Sequence, residues 1–134
     1  MNNKKIIYIF GNPLLDFDNL PLKLAPALGE RFPNIDFIIA DPNENIKPDE
    51  KGELLIIDTV MGLDKVAVFE DIEKIQQDKI YSLHDFDLGF NLKLLQKIGQ
   101  LKKIKIIGVP AGEVNEEEVL LEVAERIKFF NLLK

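Results

Sequence analysis

The chain has 134 residues, 46% hydrophobic and 30% charged, with a net charge of −6 and no cysteine. The size suits one domain over residues 1–134, large enough to bury a core without disulfides or structural metal. An acidic balance argues against nucleic-acid binding, which depends on phosphate neutralisation by Lys and Arg, and without cysteine there is neither a thiol nucleophile nor a thiolate metal site.

Lys4–Phe10 (KKIIYIF) is a continuous apolar run after two lysines, the pattern of a buried parallel strand. Gly11-Asn12-Pro13 ends it. The run is too short for a membrane span, and no small-residue cleavage site follows it. The expectation is therefore a cytoplasmic protein without membrane insertion; the sequence leaves the oligomeric state open. Asn19 reads as a helix N-cap with Pro21 in the first turn, and Leu20, Leu24, Ala27 and Leu28 form the buried stripe. The segment from Gly29 to Pro33 closes this helix, and Ile35–Ala40 (IDFIIA) is the second strand.

Asp41–Gly52 is polar, holds two prolines and reads as a loop. Glu53–Asp58 (ELLIID) is a third strand, Met61–Asp64 a turn, and Lys65–Glu70 a fourth strand. So short a connection implies that strands three and four are antiparallel, because a parallel crossover needs about a dozen residues. Asp71–Lys79 is a polar connector ahead of the segment Tyr81-Ser82-Leu83-His84-Asp85. A helix is expected over Asp87–Ile98, with Leu88, Leu92, Leu95 and Ile98 on one stripe and Gly99 as its stop. Ile104–Val109 is the fifth strand. Val114–Phe130 is the last helix, with Asn115 as cap and Glu116, Glu117 and Glu118 at its positive end. The order β-α-β-β-β-α-β-α predicts an α/β three-layer sandwich, a mixed and mostly parallel five-stranded sheet flanked by helices.

Three polar positions stand out. His84 is the only histidine. Asp18 and Asp58 each follow an apolar strand-like run, and in an open α/β sheet both loops leave the edge where ligands bind. Two carboxylates and one imidazole meeting there make a site for a borderline divalent metal such as nickel or zinc. Taken singly, Asp18 reads as a helix-start residue, Asp58 equally as a loop cap or as a site residue at the C-terminal end of a strand, and a lone histidine is usually structural. Covalent chemistry is poorly served. A Ser-His-Asp triad would need Ser82 and His84, two residues apart in one segment.

Four segments resemble the hydrogenase maturation endopeptidases. Ile6–Asp18 (IIYIFGNPLLDFD) is similar to that family's first strand and acidic loop, and Leu54–Gly62 (LLIIDTVMG) to its second acidic segment. Ser82–Leu88 (SLHDFDL) is similar to its histidine segment, and Lys103–Pro110 (KIKIIGVP) to its last strand. They arrive in the family's order and span most of the chain. The resemblance implies an endopeptidase that removes a C-terminal extension from the large-subunit precursor of a nickel-containing [NiFe] hydrogenase. It implies that Asp18, Asp58 and His84 contact nickel presented by that substrate, with zinc or cadmium able to substitute. A metal-polarised carbonyl or metal-bound water would account for hydrolysis without a protein nucleophile, and Asp58 or Asp18 could instead serve as general base.

The chain also departs from the family. Phe17 stands where an acidic residue is usual, Asn19-Leu20-Pro21 replace glycines, and Asp41-Pro42-Asn43 stands where Asp-Gly-Gly is usual. These changes favour a rival reading, a non-catalytic metalloprotein-maturation adaptor on the same fold. Leu54–Asp64 also resembles the phosphoacceptor strand of receiver-like signalling domains. That rival needs an acidic pair ending the first strand and a lysine after the fifth, where this chain has Phe10-Gly11-Asn12 and Val109-Pro110-Ala111. A nucleotide-binding module is disfavoured too, since neither G-x-G-x-x-G nor a P-loop lysine motif is present.

Overall fold

The computed structural model describes residues 5–11, 19–40, 46–70, 81–82, 99, 101–112 and 114–130. In chain order the elements are β1 (Lys5–Ile9), α1 (Leu20–Arg31), β2 (Ile35–Ile39), β3 (Glu53–Met61), β4 (Ala67–Phe69), β5 (Tyr81–Ser82), β6 (Lys103–Pro110) and α2 (Glu116–Phe129). The strands form one sheet in the order β2-β1-β3-β6-β4, with β5 pairing β3. β1, β2, β3 and β6 are mutually parallel. β4 runs antiparallel against β6, and β5 antiparallel against β3. This is the expected mixed, mostly parallel α/β sheet. β4 does oppose β3 in direction, but its hydrogen-bonded neighbour is β6. The two-residue β5 was not legible as a strand.

β1 buries alternate residues, with Lys5 and Tyr8 half-buried and Ile6 exposed. Ile7 and Ile9 are buried in one core cluster and Phe10 in the other. The first cluster joins Ile57, Ile107 and Val109 of the sheet to Leu20, Leu24 and Leu28 of α1 and to Val119, Val123 and Ile127 of α2. The i, i+4, i+8 spacing on α1 puts its three leucines on one stripe toward the sheet. The second cluster holds Ile46, Leu54, Ile56, Val60, Phe69, Leu101, Ile104 and Ile106 on the opposite face. The helix expected over 87–98 lies outside the described residues.

α1 runs to Arg31, so Gly29 lies within the helix, and Phe32 closes it by donating its N–H to the Leu28 carbonyl at 2.9 Å. Asn19 occupies the N-cap position, yet its side chain makes no cap bond. α2 is capped as expected. Asn115 Oδ1 accepts the Glu118 N–H at 3.1 Å, and three glutamates sit at the positive end of the helix.

β3 begins at a turn built around Asp49, whose Oδ1 accepts the N–H groups of Lys51 and Glu53, both at 2.9 Å. Gly52 takes a φ of +81° there, a value that glycine alone adopts without strain. Its carbonyl accepts the N–H groups of Lys102 and Lys103, setting the start of β6 beside that of β3. The described part of the 41–52 loop contains no helix.

Candidate functional site

Because β1, β3 and β6 are parallel, their C-terminal ends meet at one edge of the sheet, where open α/β sheets place ligands. Asp58 belongs to that edge, but not as a loop residue. β3 continues three residues beyond it to Met61, and Asp58 pairs with Gly108 of β6. The expected strand end at Asp58 is thereby corrected. The turn expected from Met61 starts one residue later, because pairing of Thr59 and Val60 to Val109 and Pro110 on one side, and of Val60 and Met61 to β5 on the other, keeps residues 59–61 extended.

Asp58 and Thr59 are the polar residues with zero exposure among those described. Strand alternation turns Asp58 to the face of Ile56 and Val60, and Thr59 to the face of Ile57. Asp58 Oδ1 accepts the Thr59 backbone N–H at 2.8 Å, which fixes the carboxylate's orientation from within its own strand. Phe10 donates its N–H to the Ile57 carbonyl at 3.0 Å, closing the β1 side of the position. Thr59 Oγ1 has no hydrogen-bond partner among the described residues.

Asp18 and His84 lie outside the described residues, and so does any contact they make. Their immediate chain neighbours are described. Asn19, next to Asp18, opens α1 at the same edge of the sheet. α1 and α2 both begin there, tied by an ion pair of 3.3 Å between Lys23 Nζ and Glu116 Oε1. Ser82, two residues before His84, is the register partner of Val60, two residues after Asp58. Among the described residues no three His, Asp or Glu side chains gather into a metal-holding group. No described helix is long and apolar enough to cross a membrane.

A cavity of about 780 Å³ opens elsewhere, at the sheet's N-terminal edge, lined among others by Lys5, Tyr8, Asp36, Lys47 and Lys51. Asp58 is not among its lining residues. Asp49 on its rim pairs with Lys5 at 3.6 Å while holding the turn described above. The residues that sequence reasoning missed are Thr59 and Gly108. Their signal was available only as the chain's single threonine and a glycine inside an apolar strand.

No family model matches the chain, and no curated protein matches it by sequence. Solved structures do match its fold. The hydrogenase maturating endopeptidase HybD from E. coli superposes with a TM-score of 0.66 at 17% identity, covering 92% of each chain. An endopeptidase from Escherichia coli, known from a solution structure, gives 0.65 at 18% identity, covering 90% of this chain and 88% of that one. The crystal structure of an uncharacterized protein from Wolinella succinogenes gives 0.59 at 17% identity, covering 98% and 99%. The α/β fold expected from the four sequence segments is the fold of these proteins.

Proposed function

We propose that the chain is a divergent hydrogenase maturation endopeptidase, which removes a C-terminal extension from the metal-loaded large-subunit precursor of a [NiFe] hydrogenase. Its site is Asp18, Asp58 and His84. The observation that carries this reading is the antiparallel pairing of β5 with β3. Ser82 stands opposite Val60, and the same two-residue interval, at most about 7 Å of chain, separates Ser82 from His84 and Val60 from Asp58, so the chain length allows His84 to share the Asp58 site. The likeness of fold to two endopeptidases supports the same reading.

The donor set suits nickel arriving as part of the substrate. Two carboxylates and a neutral imidazole are oxygen and nitrogen ligands of the kind borderline divalent ions accept, and zinc or cadmium can take the same donors. Such an ion, once presented, supplies Lewis-acid polarisation of the scissile carbonyl. The chain's part is to hold and orient. Thr59 N–H fixes the Asp58 carboxylate, apolar neighbours exclude water around it, and a carboxylate not engaged with the ion can take a proton from the attacking water.

The zero exposure of Asp58 favours a second reading, an adaptor that recognises the metalloprotein without cutting it. Incubation with nickel-loaded large-subunit precursors separates the two. Release of a C-terminal peptide by wild type, abolished in Asp58→Asn, is the expected result. Tight binding without release assigns the adaptor role, and neither binding nor release sinks both.

A further inference from the structure

Strand β2 closes one side of the sheet, pairing β1 alone. The Ala40 N–H donates to the Ile9 carbonyl at 3.0 Å, which sets the parity of this ladder. The backbone groups of 36, 38 and 40 face β1, and those of Phe37 and Ile39 face outward. The Ile35 N–H is taken by the Phe32 carbonyl. The outward N–H and C=O of Phe37 and Ile39 have no partner among the described residues. The edge is apolar as well, with Ile38 38% exposed and Ile39 59% exposed. It carries one charge, Asp36, but neither lysine, proline nor bulge, devices that stop an edge from accepting another strand.

We infer that this edge takes an extended peptide as an added antiparallel strand, and that the peptide is the C-terminal extension of the protein processed at the Asp58 site; this rests on the function proposed above. Only an extended backbone complements a row of outward N–H and C=O groups, which fixes the chemistry of the occupant. Direction selects the extension. A chain that leaves the sheet's C-terminal edge and runs down β2 lies antiparallel to it, with its upstream residues at the edge that holds Asp58. Three strand spacings, about 14 Å, separate the added strand from β3, a gap bridged by four or five extended residues. The scissile bond then lies at the site while the extension beyond it is held on β2.

Area argues against a second copy of this chain as the occupant. Five residues give a contact strip about 17 Å long and one strand wide. That is far short of the roughly 800 Å² per partner in a stable interface. A free, flexible tail has no such requirement.

The test is hydrogen exchange at the Phe37 and Ile39 amides of the full chain, carrying Asp58→Asn so that the extension stays uncut. It is read with and without a nickel-loaded large-subunit precursor at about nine times its dissociation constant. Exchange slowed about tenfold by the precursor, and not by the same subunit lacking its extension, is the expected result. Unchanged exchange while wild type still cleaves that precursor overturns the strand addition and leaves the proteolytic reading standing. Unchanged exchange without cleavage overturns both. Slowed exchange without cleavage by wild type supports the docking and overturns only proteolysis. Protection that is present without precursor and grows with protein concentration assigns the edge to a second copy and overturns the inference. Ile39→Pro gives an independent check, because it removes an outward N–H and no ladder bond. KM is expected to rise about fivefold, the worth of one net hydrogen bond, with kcat unchanged; an unaltered KM counts against the edge.

Discussion

Asp58 and Gly108 face each other across the β3–β6 ladder, and Gly108 has no room for a side chain. A Cβ at 108 would stand 2.9 Å from Val60 Cγ2 and 3.0 Å from both Leu63 Cδ1 and Phe69 Cε2. The glycine therefore lets the second core cluster close tightly beside the carboxylate. Gly108→Ala is expected to cost about 1–3 kcal/mol through overpacking. Chemical denaturation measures it, and a variant as stable as wild type would show that Leu63 and Phe69 yield freely.

Replacing Asp58 separates its structural from its chemical role. Asp58→Asn keeps an oxygen for the Thr59 N–H and is expected to fold with little loss while losing metal binding and cleavage. Asp58→Ala leaves that buried N–H unpaired and should cost about 1–3 kcal/mol more than the asparagine variant. Equal stability of the two in urea titrations would remove the hydrogen bond from the account.

Thr59 gives the opposite expectation. Its buried hydroxyl has no partner among the described residues, so Thr59→Val, nearly the same in shape, is expected to be neutral or to stabilise by up to about 1 kcal/mol. A loss of more than that in thermal and chemical unfolding would reveal a partner for Oγ1.

Calorimetric titration with nickel, zinc and cadmium addresses the proposed trio directly. One saturable site in the wild type, lost in Asp18→Ala, Asp58→Asn and His84→Ala alike, is expected if the three residues form a site that holds metal without the substrate. A site that survives any one of these changes removes that residue from the set.

At the helix ends, two interactions near the same edge should differ in worth. Asn115→Ala removes the cap of α2 and is expected to cost about 1 kcal/mol. Lys23→Ala breaks an ion pair whose side chains are more than half exposed and should change stability by no more than about 0.5 kcal/mol. A reversed order in denaturant titrations would mean that the Lys23–Glu116 bridge anchors α1 against α2.

Local pattern was enough to specify most of the described elements. The apolar runs 6–10, 35–40, 54–57 and 104–109 became strands because they are rich in β-branched isoleucine, which suits a pleated sheet, with Asp36 and Lys105 as their charged interruptions. The spacing of Leu20, Leu24 and Leu28 made a helix with one apolar stripe, and Asn115 marked the start of the last helix by its own side chain. The short connection after β3 was enough to set the direction of β4. Tertiary structure decided what depended on partners distant in sequence. β3 extends through Thr59 and Val60 only because β6 and β5 pair with it there, and that extension buries Asp58 inside a strand. β4 chose β6 rather than β3, and Tyr81-Ser82 became a strand because an edge lay beside it. The open side of β2 follows from strand order, which no local pattern encodes: a backbone group goes unpaired only because of where the rest of the chain ends up.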